Sequence, residues 1–181
     1  PSSAFSASPL SSTQVSFLWE AVSGASRYEI QFKTSGDNSN WQALASVLAP
    51  SVSYTGNSFL PGKYDFRLRA CNSNNCSGFV SASSTLMGQP AQVTVPSVVT
   101  GGVVVVTWSS TSNATNYQLK RKQGSGSYSV IVSSTGALSF SDSSVGNNNY
   151  QYSVTACDGS NCGSATTSNI VTSILPPSSV S

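Results

Sequence analysis

The sequence predicts an all-β chain built as two consecutive two-sheet sandwiches. Three observations lead there. Apolar residues alternate with polar ones at a period of two along several short runs, as in half-buried strands. The pattern occurs twice: "TQVSFLWEAVSGASRYEIQFK" (13–33) aligns with "GVVVVTWSSTSNATNYQLKRK" (102–122), and "GKYDFRLRACNSNNCSG" (62–78) with "NNYQYSVTACDGSNCGS" (148–164). No stretch sustains a helical period. The 181 residues are enough for two small domains, and about seven short strands per repeat suit a sandwich.

The elements follow in order. Val15, Phe17 and Trp19 alternate with Gln14, Ser16 and Leu18, so the first three face inward. Tyr28, Ile30 and Phe32 alternate with Glu29, Gln31 and Lys33. Tyr64, Phe66, Leu68 and Ala70 alternate with Asp65, Arg67 and Arg69. Aromatic and β-branched residues suit such pleated, half-buried surfaces. In the second repeat Val104, Val106 and Trp108 face inward. Val103 and Val105 then face outward, where the first repeat has Gln14 and Ser16. Exposed valines either favour the strand or mark contact with a neighbour.

Trp19 and Trp108, and Tyr28 and Tyr117, lie 89 residues apart. Tyr64 and Tyr150, Cys71 and Cys157, and Cys76 and Cys162 lie 86 apart. The net loss of three residues belongs in a loop or edge strand, where length changes are tolerated. Pro1 and Pro90 also lie 89 apart, and the final "PSSVS" resembles the initial "PSSAF". The expected division is 1–87 and 88–176, with 177–181 opening a following repeat or linker of a longer array. The absence of a starting Met and of a signal peptide suggests a mature or excised segment. The short junction "STLMGQPA" (84–91) leaves few residues to flex, which predicts a semi-rigid rod.

Composition narrows the function. Charged residues make up only 8%, far below the usual quarter. Net charge is +2 without a run of Lys or Arg, which argues against a nucleic-acid partner. No apolar run approaches the ~18 residues of a membrane span, so no membrane insertion is expected. Histidine is absent. That removes the commonest general acid/base and metal ligand, and with them any Ser-His-Asp or Cys-His enzyme. The six acidic residues are scattered, whereas acid/base pairs need convergent carboxylates. No enzyme activity and no cofactor are expected.

Both repeats resemble fibronectin type III domains. The likeness lies in the B-strand Trp19 and Trp108, the C-strand Tyr28 and Tyr117 nine residues later, and the run "LPGKYDFRLRAC" (60–71). Trp41 in "NWQALAS" and Tyr54 in "VSYT" fit the family's C′ and E strands. The second repeat is looser: "VGNNNYQYSVTAC" lacks Leu-Pro-Gly, and Arg121 replaces Phe32. The resemblance implies a seven-stranded, immunoglobulin-like Greek-key sandwich, with A, B and E in one sheet and C, C′, F and G in the other. It implies modules strung end to end, so other domains of the same chain are expected partners. The cysteine-closed F–G hairpins and the Ser/Thr/Asn-rich surface are similar to those of large secreted or surface bacterial proteins.

Four sets of candidate site residues follow. Cys71 with Cys76, and Cys157 with Cys162, stand at the end of strand F and the start of strand G. Opposed Cα atoms in such a hairpin lie ~4.5–5.5 Å apart, which a disulfide can bridge, for roughly 2 kcal/mol. A zinc site would need four converging ligands, and a redox site is more often Cys-x2-Cys beside a helix. Disulfides are therefore favoured over a metal, and they imply an oxidising compartment: secreted, periplasmic or cell-surface.

The tips "NSNN" and "DGSN" offer Asn72, Asn74, Asn75, Asp158, Ser160 and Asn161 as ligand-binding candidates. Turn chemistry explains the same residues, and one carboxylate is too few for calcium. Trp41 and Tyr128 are the candidate platform for stacking on a sugar. Trp19 and Trp108 should be core, and Tyr64 and Tyr150 corner tyrosines bonded to upstream backbone. Glu29, Lys33, Arg67 and Arg69, with Asp65, form a candidate docking face that Lys120 and Lys122 extend. A solvated ladder of weak pairs explains it equally. Sequons stand at "NCS" (75–77) and "NAT" (113–115).

The expected function is a non-catalytic spacer or presentation segment of a larger secreted or cell-surface protein. The alternative is an adhesion module that binds a protein or glycan through the F–G tips or the Trp41/Tyr128 edge.

Overall fold

The computed structural model describes residues 4–38, 40–159 and 161–176. The chain divides into two compact units, Pro1–Leu86 and Met87–Ser181. Neither the proposed start of a further repeat at 177–181 nor Ser160 lies among the described residues. No helix of the described chain is long and apolar enough to cross a membrane.

The first unit has seven strands: β1 (Ser6–Pro9), β2 (Val15–Leu18), β3 (Arg27–Thr34), β4 (Gln42–Leu48), β5 (Ser53–Gly56), β6 (Gly62–Cys71) and β7 (Val80–Leu86). They form two antiparallel sheets, ordered β1-β2-β5 and β4-β3-β6-β7. These are the A, B, E and C′, C, F, G sheets that the resemblance to fibronectin type III domains implies. The inward rows of the two sheets meet. Phe17, Trp19, Tyr28, Ile30, Phe66 and Leu68 are buried together. Because side chains alternate faces, the same strands leave Glu29, Arg67 and Arg69 on the outer surface.

The second unit contains β8 (Val93–Thr94), β9 (Val98–Thr100), β10 (Val104–Trp108), β11 (Asn116–Gln123), β12 (Ser129–Thr135), β13 (Ser139–Asp142), β14 (Asn148–Asp158), β15 (Asn161–Thr167) and β16 (Val171–Ile174). One sheet is ordered β13-β10-β8 and the other β12-β11-β14-β16-β9, with β15 also on β14. Here the seven strands are kept, but the first and the last are each split in two. The first strand is split, and its second half, β9, crosses to the opposite sheet to pair in parallel with β16. Pro96 stands at the break. It cannot donate to a ladder, so a strand running through it must stop or change partner. The last strand is also split. The Ser168 hydroxyl accepts from the Tyr152 N–H (3.1 Å) and donates to the Asn169 carbonyl (2.6 Å), so a side chain does what the ladder otherwise would.

Val104, Val106, Trp108, Tyr117, Leu119 and Tyr152 fill the second core, and Met87 joins them. Val103 and Val105 face outward, 44% and 49% exposed. The missing residues fall in connections. Residues 35–41 join β3 to β4, whereas only 124–128 join β11 to β12; residues 49–52 join β4 to β5, and only 136–138 join β12 to β13.

Candidate functional site

Both cysteine pairs are disulfides, Cys71–Cys76 and Cys157–Cys162, with Cα atoms 4.0 and 4.1 Å apart. The antiparallel ladder puts them opposite one another, Cys71 against Cys76 and Cys157 against Cys162. The Glu29 carboxylate lies within 4.8 Å of the first pair's sulfurs. That trio is no metal site: the sulfurs are bonded to each other, and two arginines already hold the carboxylate.

In the first tip the Asn72 side chain and backbone are engaged in the turn. The Asn72 side-chain oxygen accepts from the N–H groups of Asn74 (2.9 Å) and Asn75 (2.7 Å), and the Asn72 N–H donates to the Asn75 carbonyl (2.9 Å). In the second unit Asp158 opposes Asn161 across a tight turn in which Gly159 has φ +62°. The Thr115 hydroxyl donates to the Asp158 carboxylate (3.3 Å). A shallow hollow of about 230 Å³ separates the Val22–Ala25 turn from Asn72, Asn75 and Cys76.

Trp41 and Tyr128 each stand just before an edge strand, β4 or β12. Both are half-buried. The Arg67 guanidinium lies 4.3 Å from the Trp41 ring centre, and the Lys33 ammonium 5.4 Å. Tyr128 donates to Gln151 (2.9 Å), and burial raises its pKa. The two aromatics belong to separate units, and each already has a cation against its ring, Lys122 serving Tyr128 at 5.2 Å.

The charged face is the most organised of the candidates. Strands β3 and β6 pair in a register that sets Glu29 opposite Arg69, Gln31 opposite Arg67 and Lys33 opposite Asp65. Glu29 sits between Arg27 (3.0 Å) and Arg69 (2.7 Å). The hydrogen bond from Arg69, then that from Arg27, holds its carboxyl below the ordinary value despite an opposing burial effect. Lys33 lies 3.9 Å from Asp65. Arg67 is clasped between Trp41 and Phe79, 4.0 Å from the latter's ring centre, and Arg69 lies 4.9 Å from the same ring. Sequence reasoning had the outward row and missed Phe79. Its signal was its place just after Cys76, at the head of the strand that flanks β6.

Trp19 and Trp108 are core residues, 6% and 5% exposed. Tyr64 donates to the Leu60 carbonyl (3.0 Å), and the Tyr150 hydroxyl accepts from the Gly146 N–H (2.9 Å). Each corner tyrosine thus closes on backbone four residues upstream.

No protein-family model matches the chain, and no curated protein matches it. Solved structures do. A two-domain fibronectin type III segment of chicken tenascin is 16% identical, with 93% of this chain and 97% of that one covered at a TM-score of 0.50. The FN1–FN3 domains of chicken CNTN1 are 18% identical, covering 94% of this chain and 66% of that one at a TM-score of 0.48. The structure of FN3tt is 32% identical over 45% of this chain and 87% of its own length, at a TM-score of 0.40. The tenascin likeness, at that identity, speaks for the fold.

Proposed function

We propose, from its tandem of two domains with a fibronectin type III-like fold, that the chain is a non-catalytic structural or presentation segment of a larger protein. Modules of this fold typically serve as structural or binding parts of larger chains. One observation carries the reading: three of the six carboxylates, including the one buried acidic residue among the described residues, are engaged by fixed donors. Glu29 is held by two arginines, Asp65 by Lys33 and Ser35, and Asp142 by Arg121 and Tyr152. A carboxylate saturated by fixed donors is poorly placed to move protons. The aromatic residues at the two sheet centres are likewise packed into closed cores.

The disulfides are consistent with an oxidising, extracellular-type setting. We infer a parent protein that is secreted, periplasmic or at the cell surface, of the bacterial kind that strings such modules in series.

Exchange within the parent protein tests the reading. Replacing the segment by an unrelated tandem of the same fold should leave the activity of neighbouring domains intact. Deleting it should impair that activity by bringing the neighbours too close. Loss of activity on exchange, with the substitute folded, would overturn the assignment.

A further inference from the structure

The outward row of β6 carries two arginines, Arg67 and Arg69, two positions apart and so ~7 Å along the strand. Arg69 is neutralised by Glu29 at 2.7 Å. Arg67 makes no ion pair among the described residues. Its Nε donates to the Gln31 side-chain oxygen at 2.7 Å, and its guanidinium lies against Trp41 and Phe79. Two rings and one amide thus fix the plane of this guanidinium, and no carboxylate among the described residues pairs with it. Burial, and then the charge of Arg69, lowers its pKa.

The second unit serves as an internal control. By the repeat alignment Ser153, Thr155 and Gln118 stand where the first unit has Arg67, Arg69 and Glu29, and Ala165 stands for Phe79. The sheet nevertheless forms in the corresponding register, with Lys120 opposite Ser153 as Gln31 is opposite Arg67. The fold therefore does not need the cation–aromatic stack. A second copy of the chain is a poor source of counter-charge, because it has only six acidic residues. Glu29, Asp65, Asp142 and Asp158 are engaged at home, and so is Asp37.

We propose that this face of the first unit binds an acidic polysaccharide, with Arg67 receiving a carboxylate or sulfate group borne on a sugar ring. A planar guanidinium presents two parallel donors that match such an oxyanion. An acidic peptide fits less well. β6 is an interior strand, its backbone already paired with β3 and β7, so a peptide cannot add there as an extra strand. A sugar needs no backbone partner. Around Arg67 it meets the hydroxyls of Ser81 and Ser83 on the exposed row of β7. Beside Gln31 it meets a shallow hollow of about 330 Å³ floored by Ala43 and Ala45. That hollow arises where the β3–β4 register shifts between Ile30 and Gln31.

The site goes beyond the spacer reading and does not rest on it. A titration of the whole chain tests it, with polygalacturonate, dextran sulfate, neutral dextran and poly-L-glutamate as probes. The readouts are calorimetry and tryptophan fluorescence; Trp19 and Trp108 are buried, so Trp41 is the reporter. Saturable binding of polygalacturonate or of dextran sulfate is expected, with a fluorescence change, and the arm that binds identifies the anion. Arg67→Gln should weaken it at least about tenfold, as loss of a charge-assisted pair does. Arg67→Lys should weaken it less, and Lys120→Gln in the second unit less than about twofold. No saturable binding to either anionic glycan would overturn the proposal. So would equal weakening by Lys120→Gln, tighter binding of poly-L-glutamate, or glycan binding that leaves Trp41 fluorescence unmoved. If Arg67→Gln does not fold, Arg67→Lys and the wild-type fluorescence still decide.

Discussion

Arg121 and Asp142 face each other inside the second unit, with one guanidinium nitrogen within 3.1 Å of both carboxylate oxygens. Asp142 is 3% exposed. It also accepts from the Tyr152 hydroxyl at 2.9 Å and the Ser144 N–H at 3.0 Å, while Arg121 donates to the Ser144 carbonyl at 3.1 Å. By the repeat alignment the first unit has Phe32, Gly56 and Phe66 at the three positions. There Phe32 and Phe66 pack edge-on against Phe59, 5.5 and 5.7 Å between ring centres. A Cβ on Gly56 would stand 2.9 Å from that Phe59 ring. An ionic network has thus replaced an aromatic cluster, and the aspartate fits only because Val145 stands where Phe59 would.

Removing one partner should cost more than removing both. Asp142→Ala leaves a largely buried guanidinium and a phenol without their acceptor, and should destabilise the second unit by about 3–5 kcal/mol. Arg121→Met combined with Asp142→Ala should recover part of that loss. Urea unfolding of the single and double variants checks this through the coupling energy. Simple additivity of the two single losses would show that the pair is not coupled.

The two units should fail at opposite ends of the pH scale. Burial, then the hydrogen bond to Asp142, raises the Tyr152 pKa. Its contribution is complete below the ordinary tyrosine value near 10 and is lost above it, where the unfolded phenol ionises and the native one does not. Glu29 is the reverse case. Its lowered pKa contributes stability above the ordinary value of 4.5 and loses it as the pH falls further. Tyr152→Phe should therefore flatten the alkaline limb of melting temperature against pH, and Glu29→Gln the acid limb. A variant that shifts the whole curve without changing either slope would contradict the linkage.

The staples give a third test. Changing Cys71 and Cys76 together to Ala should lower the first unit's stability by about 2 kcal/mol, as expected for so short a loop. Urea denaturation of the oxidised chain and the variant measures it. Before that, the intact mass without reductant should show all four cysteines bonded, and a chain with free thiols would remove the argument for an oxidising setting.

Much of this was legible because it rests on period and repetition. Alternation placed Phe17, Tyr28 and Phe66 inward and Arg67 and Arg69 outward, and a repeat of both cysteine spacings exposed the hairpin staples. What escaped depends on contacts between residues distant in sequence. Arg121 was recognised as a departure from Phe32, but nothing local announces that Asp142, twenty-one residues on, comes back to meet it. Phe79 was missed because its partner Arg67 lies on another strand. The split of the second unit's first strand was readable in principle from Pro96.

Gly163 supplies the last prediction, because its requirement is steric and invisible in "NCGSA". A Cβ there would lie 2.2 Å from the Gly88 carbonyl oxygen and 2.7 Å from that of Met87. Both obstacles are backbone, so neither can swing aside. The same segment is tied further along β15, where the Thr166 hydroxyl donates to the Pro90 carbonyl. Gly163 therefore lets residues 87–90 lie flat on β15, which seats Met87 in the second core. Gly163→Ala must lift that segment and should cost about 1–3 kcal/mol, the usual penalty of overpacking. Gly78→Ala, with nothing within 4 Å of its Cβ, should change stability by less than about 0.5 kcal/mol. Equal losses for the two variants in urea would show that this close approach does not constrain residue 163.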